Sequence, residues 1–137
     1  MDDATVQEIR AWLVKGLEDL KSAEWLLSSP DELYGSVGFH CQQVAEKALK
    51  AYLTWSEKPF EKTHSLVALV GECLLTHPSF NQLRTAATTL NPYAVALRYP
   101  GDMLELSEVE AREALALARE VWEFVLERIP SIAQAEM

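Results

Sequence analysis

Apolar residues recur at steps of three and four along most of the chain. No segment keeps the period-two alternation of a half-buried strand. Val6, Ile9, Leu13, Leu17 and Leu20 make one such stripe, which Trp12 and Trp25 broaden, and predict a first helix from Thr5 to about Leu27. Its outer face carries Glu8, Lys15, Glu18 and Lys21. Ser28, Ser29 and Pro30 stop it, and Asp31 is placed to cap a second helix running from Glu32 to Trp55. That helix has an apolar ridge of Val37, Cys41, Val44, Ala48, Leu49 and Tyr52. Gly35 and Gly38 in its first turns mark either close approach of another helix or fraying.

The charged, proline-containing stretch Ser56 to Lys62 reads as a loop. Thr63 is placed to cap a third helix, with His64 in its first turn and Leu66, Val67, Leu69, Val70 and Leu74 on its apolar side. His77-Pro78 breaks the pattern. Ser79 and Gln82 have the spacing of a capping box opening a fourth helix to Leu90, and Asn91-Pro92 bends or stops it. Asn91 to Asp102 is expected to be irregular, with a turn at Pro100-Gly101. Ser107 and Glu110 form the clearest capping box, opening a fifth helix that ends at Pro130. Beside its main stripe lies a second apolar file, Ala114, Leu117, Val121 and Phe124, which hints at self-association. These elements predict an all-α fold, an antiparallel up-and-down bundle of four to five helices, as one domain over residues 1–130. Residues 131–137 are expected to be a frayed tail.

Composition narrows the function classes. The net charge is −9, from 21 acidic and 12 basic side chains, which disfavours binding of duplex nucleic acid through the overall field. A local basic pocket or a basic protein partner stays open. Cys41 and Cys73 fall on apolar helix positions and are expected to be buried free thiols. The acidic, amphipathic N-terminus is the reverse of a signal peptide, and no apolar run reaches the length of a membrane span, so a cytoplasmic protein is expected.

The stretch Phe39 to Lys50, FHCQQVAEKALK, carries the candidate chemistry. Gln43, Glu46, Lys47 and Lys50 share one helix face, with His40 a turn earlier. His64 is expected at a helix N-terminus, where backbone N–H groups favour an anion, and Arg98 with Tyr99 is presented from a constrained segment. Together they could converge on one phosphate-bearing ligand. The competing reading, which spacing alone favours, pairs Lys47 and Lys50 with Glu46, Glu57 or aspartates and gives Arg98 a structural salt bridge. No metal site is expected: Glu61 and His64 have E-x-x-H spacing only once, across a loop-to-helix junction. No serine or cysteine nucleophile arrangement is found, and no C-x-x-C occurs.

FHCQQVAEKALKAYL at 39–53, KTHSL at 62–66 and LNPYAVALRYP at 90–100 resemble the HEPN domain family, in order and over nearly the whole chain. The resemblance implies a bundle of four or five helices that usually forms a homodimer and takes part in nucleotide or RNA transactions. Such proteins commonly work beside a minimal nucleotidyltransferase as a two-component or toxin–antitoxin pair. It assigns Gln42, Gln43, Glu46, Lys47 and Lys50 to the helix motif, His64 to the loop histidine and Arg98 to Pro100 to the closing motif. Members that cut RNA carry an arginine followed four to six residues later by histidine. Here neither Arg84 nor Arg98 is so followed, which puts catalysis in doubt and leaves no catalytic residue assigned.

The favoured reading is therefore a binding module rather than an enzyme. It takes a nucleotide or phosphate-bearing ligand, with no other cofactor, through His40, Gln43, Glu46, Lys47, Lys50, His64, Arg98 and Tyr99, or partners a nucleotidyltransferase. The alternatives are a metal-independent RNase toxin built on His64 and Arg98, and a purely structural acidic partner.

Overall fold

The computed structural model describes residues 2–94 and 105–134. Among them the structure is all helical: α1 (Asp3–Ser28), α2 (Tyr34–Trp55), α3 (Leu66–Leu74), a 3-10 helix (Pro78–Leu83), α4 (Arg84–Leu90), a second 3-10 helix (Asn91–Ala94), α5 (Glu108–Leu126) and α6 (Ser131–Gln134). The all-α bundle expected from periodicity is the observed architecture. No helix among the described residues is long and apolar enough to cross a membrane.

The bundle is built around α2. It packs against α1, α3, α4, α5 and the Asn91–Ala94 helix, so it is covered on most of its circumference rather than along one stripe. The expected apolar ridge is fully buried, from Val37 through Cys41, Val44, Ala48 and Leu49 to Tyr52. The Tyr52 ring meets Phe80 at 4.4 Å between centroids, and Phe80 meets Phe124 at 4.9 Å, which ties α2 to α5 through the first 3-10 helix. Small residues let the helices close up. A Cβ on Gly16 of α1 would lie 2.6 Å from the Trp122 ring of α5, and one on Gly38 would lie 2.5 Å from Leu106 and 3.2 Å from Tyr93. The close approach at Gly38 is thus made by a 3-10 helix and the segment before α5.

Several local expectations are corrected. Helix α2 begins at Tyr34 without a side-chain cap; Asp31 instead sits in a turn, its N–H donating to Ser29 Oγ and its carbonyl accepting from Leu33. Ser65, not Thr63, caps α3 by accepting from Ala68 N–H, while Asn91 Oδ1 accepts from Leu66 N–H at 2.7 Å. His64 therefore lies in the turn before α3. The Ser79–Gln82 capping box does not form, because Ser79 Oγ pairs with His77 Nδ1 at 2.6 Å and the backbone takes a 3-10 course. The Ser107–Glu110 box forms as expected. Trp25, assigned to the buried stripe, is 78% exposed.

At the C-terminus, α5 ends at Leu126 and the chain turns back. Residues 131–134, expected to fray, form α6, with Ala133 fully buried. Gln134 Nε2 donates to the carbonyls of Leu126 and Ile129 at 2.7 and 2.8 Å, and Arg10 donates to Ile132 O at 2.6 Å. The second apolar file of α5 is spent inside the bundle: Ala114, Val121 and Phe124 are buried and Leu117 is half-buried. It supplies no free face for self-association. Cys41 and Cys73 are free and buried, and burial pushes both thiols up to about 12.

Candidate functional site

The polar ridge of α2 is folded inward. Gln42, Glu46 and Lys50 are buried, at 0%, 3% and 6% exposure, because α1 on one side and the turn at residues 63–65 on the other lie over them. Charges at that depth persist only when paired. Two carboxylates do the pairing.

The first is Asp19, on the inner face of α1 between Gly16 and Ala23. Its Oδ1 lies 2.8 Å from His40 Nδ1, and its Oδ2 accepts from Lys47 Nζ. Burial pushes the Asp19 carboxyl up, but the hydrogen bonds from His40 and Lys47 and their charges outweigh it, so the group titrates below its ordinary 3.8. A carboxylate can only accept, so Nδ1 of His40 carries the proton and Nε2 is left for another partner.

The second is Glu46. Its Oε2 accepts from Lys50 Nζ at 3.1 Å, and its Oε1 lies 2.9 Å from Nδ1 of His64, whose ring is 76% exposed. Gln42 Nε2 donates to His64 O at 2.9 Å and reaches Glu46 Oε1 at 3.4 Å, while Gln42 Oε1 accepts from Gln43 Nε2 at 2.7 Å. This network fixes the turn before α3 onto α2. Among the described residues it again leaves the histidine Nε2 unengaged.

Lys50 also faces a cavity. Its Nζ sits 5.3 Å from the centroid of the Trp12 ring, and Trp12 meets Phe60 at 6.3 Å. These three side chains, with Lys58 and Lys62 from the following loop, line a cavity of about 620 Å³. The loop is set by the end of α2. Glu57 adopts φ 57°, its N–H bonds to Thr54 O and the Lys58 N–H bonds to Leu53 O, the closing pattern normally supplied by glycine. That turn brings Phe60 back against Trp12.

The expected site residues thus fall into two groups. Glu46, Lys50 and His64 come together, with Gln43 attached through Gln42. His40 and Lys47 are held separately on Asp19. Arg98 and Tyr99 lie outside the described residues, and with them the His64–Arg98 pair of the RNase reading. Glu61 does not join His64, and no group of three or more metal-ligating side chains occurs among the described residues. Sequence reasoning missed Asp19, Trp12, Phe60, Lys58 and Lys62. Asp19 had a signal, since it falls in register with the buried stripe, where a lone carboxylate needs a partner. The lining of the cavity had none, because it depends on how the 56–62 loop turns.

The family model for the HEPN domain matches residues 9–129. The chain belongs to the HEPN domain family. Two solved structures share the HEPN-type bundle. TT1696 from Thermus thermophilus is 30% identical, with a TM-score of 0.72 over 88% of this chain and 98% of that one. ST0689, described as an archaeal HEPN homologue, is 26% identical, with a TM-score of 0.71 over 89% of this chain and 98% of that one. A search of curated proteins returns no match.

Proposed function

We propose that this HEPN protein is a binding module for a nucleotide, held in the cavity between α1, the end of α2 and the 56–62 loop. One observation carries the reading. In a chain of net charge −9, three lysines and two aromatic rings are gathered, with Glu8 and Glu57, around a space of about 620 Å³. Trp12 and Phe60 offer faces for a base, and lysine ammonium groups are the point charges that phosphates take. Lys50 is already matched by Glu46, so Lys58 and Lys62, which have no ion pair among the described residues, are the cations left for phosphate. The volume lies within the range of small-molecule sites.

The family resemblance supports the wider setting, a homodimer working beside a minimal nucleotidyltransferase in a two-component or toxin–antitoxin system. Co-purification with such a partner is the test of that setting.

Nucleotide binding is tested by thermal shift with AMP, ATP and GTP on the wild type and on Lys58→Ala/Lys62→Ala. Saturation a hundredfold above the dissociation constant stabilises by about 2.7 kcal/mol, which raises the melting temperature by several degrees. The double variant is expected to melt like the wild type without ligand and to lose the shift. An absent shift at millimolar nucleotide, or an equal one in the double variant, removes the reading.

A further inference from the structure

His40 belongs to a different part of the surface from the lysine cavity. It lines an open cavity of about 510 Å³ together with Lys21, Ser22, Trp25 and Leu26, at the end of the bundle where α1 finishes and α2 begins. Four features of this place do not follow from packing. The Trp25 side chain is 78% exposed, although a tryptophan there contributes little to the core and leaves a large apolar face in water. Lys21 has no ion pair among the described residues. His40 is held by its Nδ1 on Asp19 and packed edge-on against Phe39, with ring centroids 5.3 Å apart, so its orientation is fixed while Nε2 has no partner among the described residues. Asp19 is itself buried and anchored by Lys47, which makes the carboxylate–imidazole pair a rigid unit rather than a surface contact.

An imidazole protonated on both nitrogens presents Nε2–H as a charged donor to an anion. Lys21 adds a second positive group on the same cavity, and Trp25 with Leu26 gives it an apolar shelf. The nearby negative charge of Asp19 is already matched by Lys47. We propose that this cavity is a second ligand site, distinct from the lysine-lined cavity, for a small planar anion: an aromatic ring carrying a phosphate or carboxylate. The ring stacks on Trp25 and the anionic group meets His40 Nε2 and Lys21. In this arrangement Asp19 is a positioning residue for His40.

The test is an NMR titration of the full chain with phenyl phosphate, with cyclohexyl phosphate and inorganic phosphate as controls, reading the His40 imidazole and the Trp25 indole. Saturable shifts at both groups are expected with phenyl phosphate, and much weaker responses with either control. Trp25→Leu, read at His40, and His40→Gln, read at Trp25, should each weaken binding by about tenfold or more, the scale of a lost stacking or charged contact. Trp25→Leu changes an exposed side chain, and the glutamine amide can still donate to Asp19, so both variants are expected to fold; circular dichroism checks this. Lys58→Ala/Lys62→Ala should leave this binding unchanged, which separates it from the nucleotide cavity. The proposal is overturned by any of three results: no saturable shift at millimolar phenyl phosphate, equal binding of inorganic phosphate, or shifts at the Trp12 indole in place of Trp25.

Discussion

Lys50 is the residue whose role changed most on folding. The resemblance offered it as a ligand contact, while spacing alone favoured a pair with Glu46; that pair forms, but in the interior, with the lysine side chain 8% exposed and the Trp12 ring beyond. Replacing it by methionine leaves the buried Glu46 carboxylate without its lysine partner. Loss of one member of a buried pair costs about 3–5 kcal/mol. His64 and Gln42 still reach Glu46, so Lys50→Met is expected near the lower end, read from urea denaturation. Adding Glu46→Gln should restore part of the loss; no restoration would mean that packing of the lysine stem, not the charge, was lost.

Asp19 makes a pH statement at the same scale. Its carboxyl titrates below its ordinary value in the folded chain, chiefly because hydrogen bonds from His40 and Lys47 outweigh burial. The folded state therefore binds that proton less readily than the unfolded state. The stabilisation is fully present above the ordinary value of 3.8 and is lost as pH falls through the lower folded value. Urea midpoints measured from neutral to acid pH should fall more steeply below that value in the wild type than in Asp19→Asn. Parallel profiles would show that the ion pair contributes nothing to acid stability.

Between elements, small residues set the distances. Gly16 lets α1 approach the Trp122 ring of α5, and Gly38 lets Tyr93 and Leu106 lie on α2. The two sites differ in how they can yield. At Gly38 the closest atom is the flexible end of a leucine, whereas at Gly16 it belongs to a rigid indole buried to 6% exposure. Gly16→Ala gains helix propensity but must displace that ring, and overpacking costs about 1–3 kcal/mol. It is expected to be destabilising, and more so than Gly38→Ala, in thermal or urea unfolding. Caps show how sequence spacing reads at this scale. Ser107 and Glu110 form their box with no competing side-chain partner among the described residues, while Ser79 is taken by His77 and Asn91 reaches across the fold to cap α3.

In the molecule as a whole, apolar periodicity alone determined the helical class, the position of the long helices and the burial of both cysteines, because a helix must bury one face whatever its neighbours are. The motif residues of α2 and the HEPN resemblance were likewise legible along the chain. Only the tertiary structure decided what those residues touch. The covered circumference of α2 turned a polar ridge into two carboxylate-centred networks. Asp19 became part of one because α1 lies against α2, and His40 was thereby separated from Lys50. The turn at Glu57 closed a loop over Trp12 and made a lysine-lined cavity from residues with no common spacing. Register along one helix is a local property and is written in the sequence. The meeting of side chains from different helices depends on packing distances and loop turns, which only the assembled core sets.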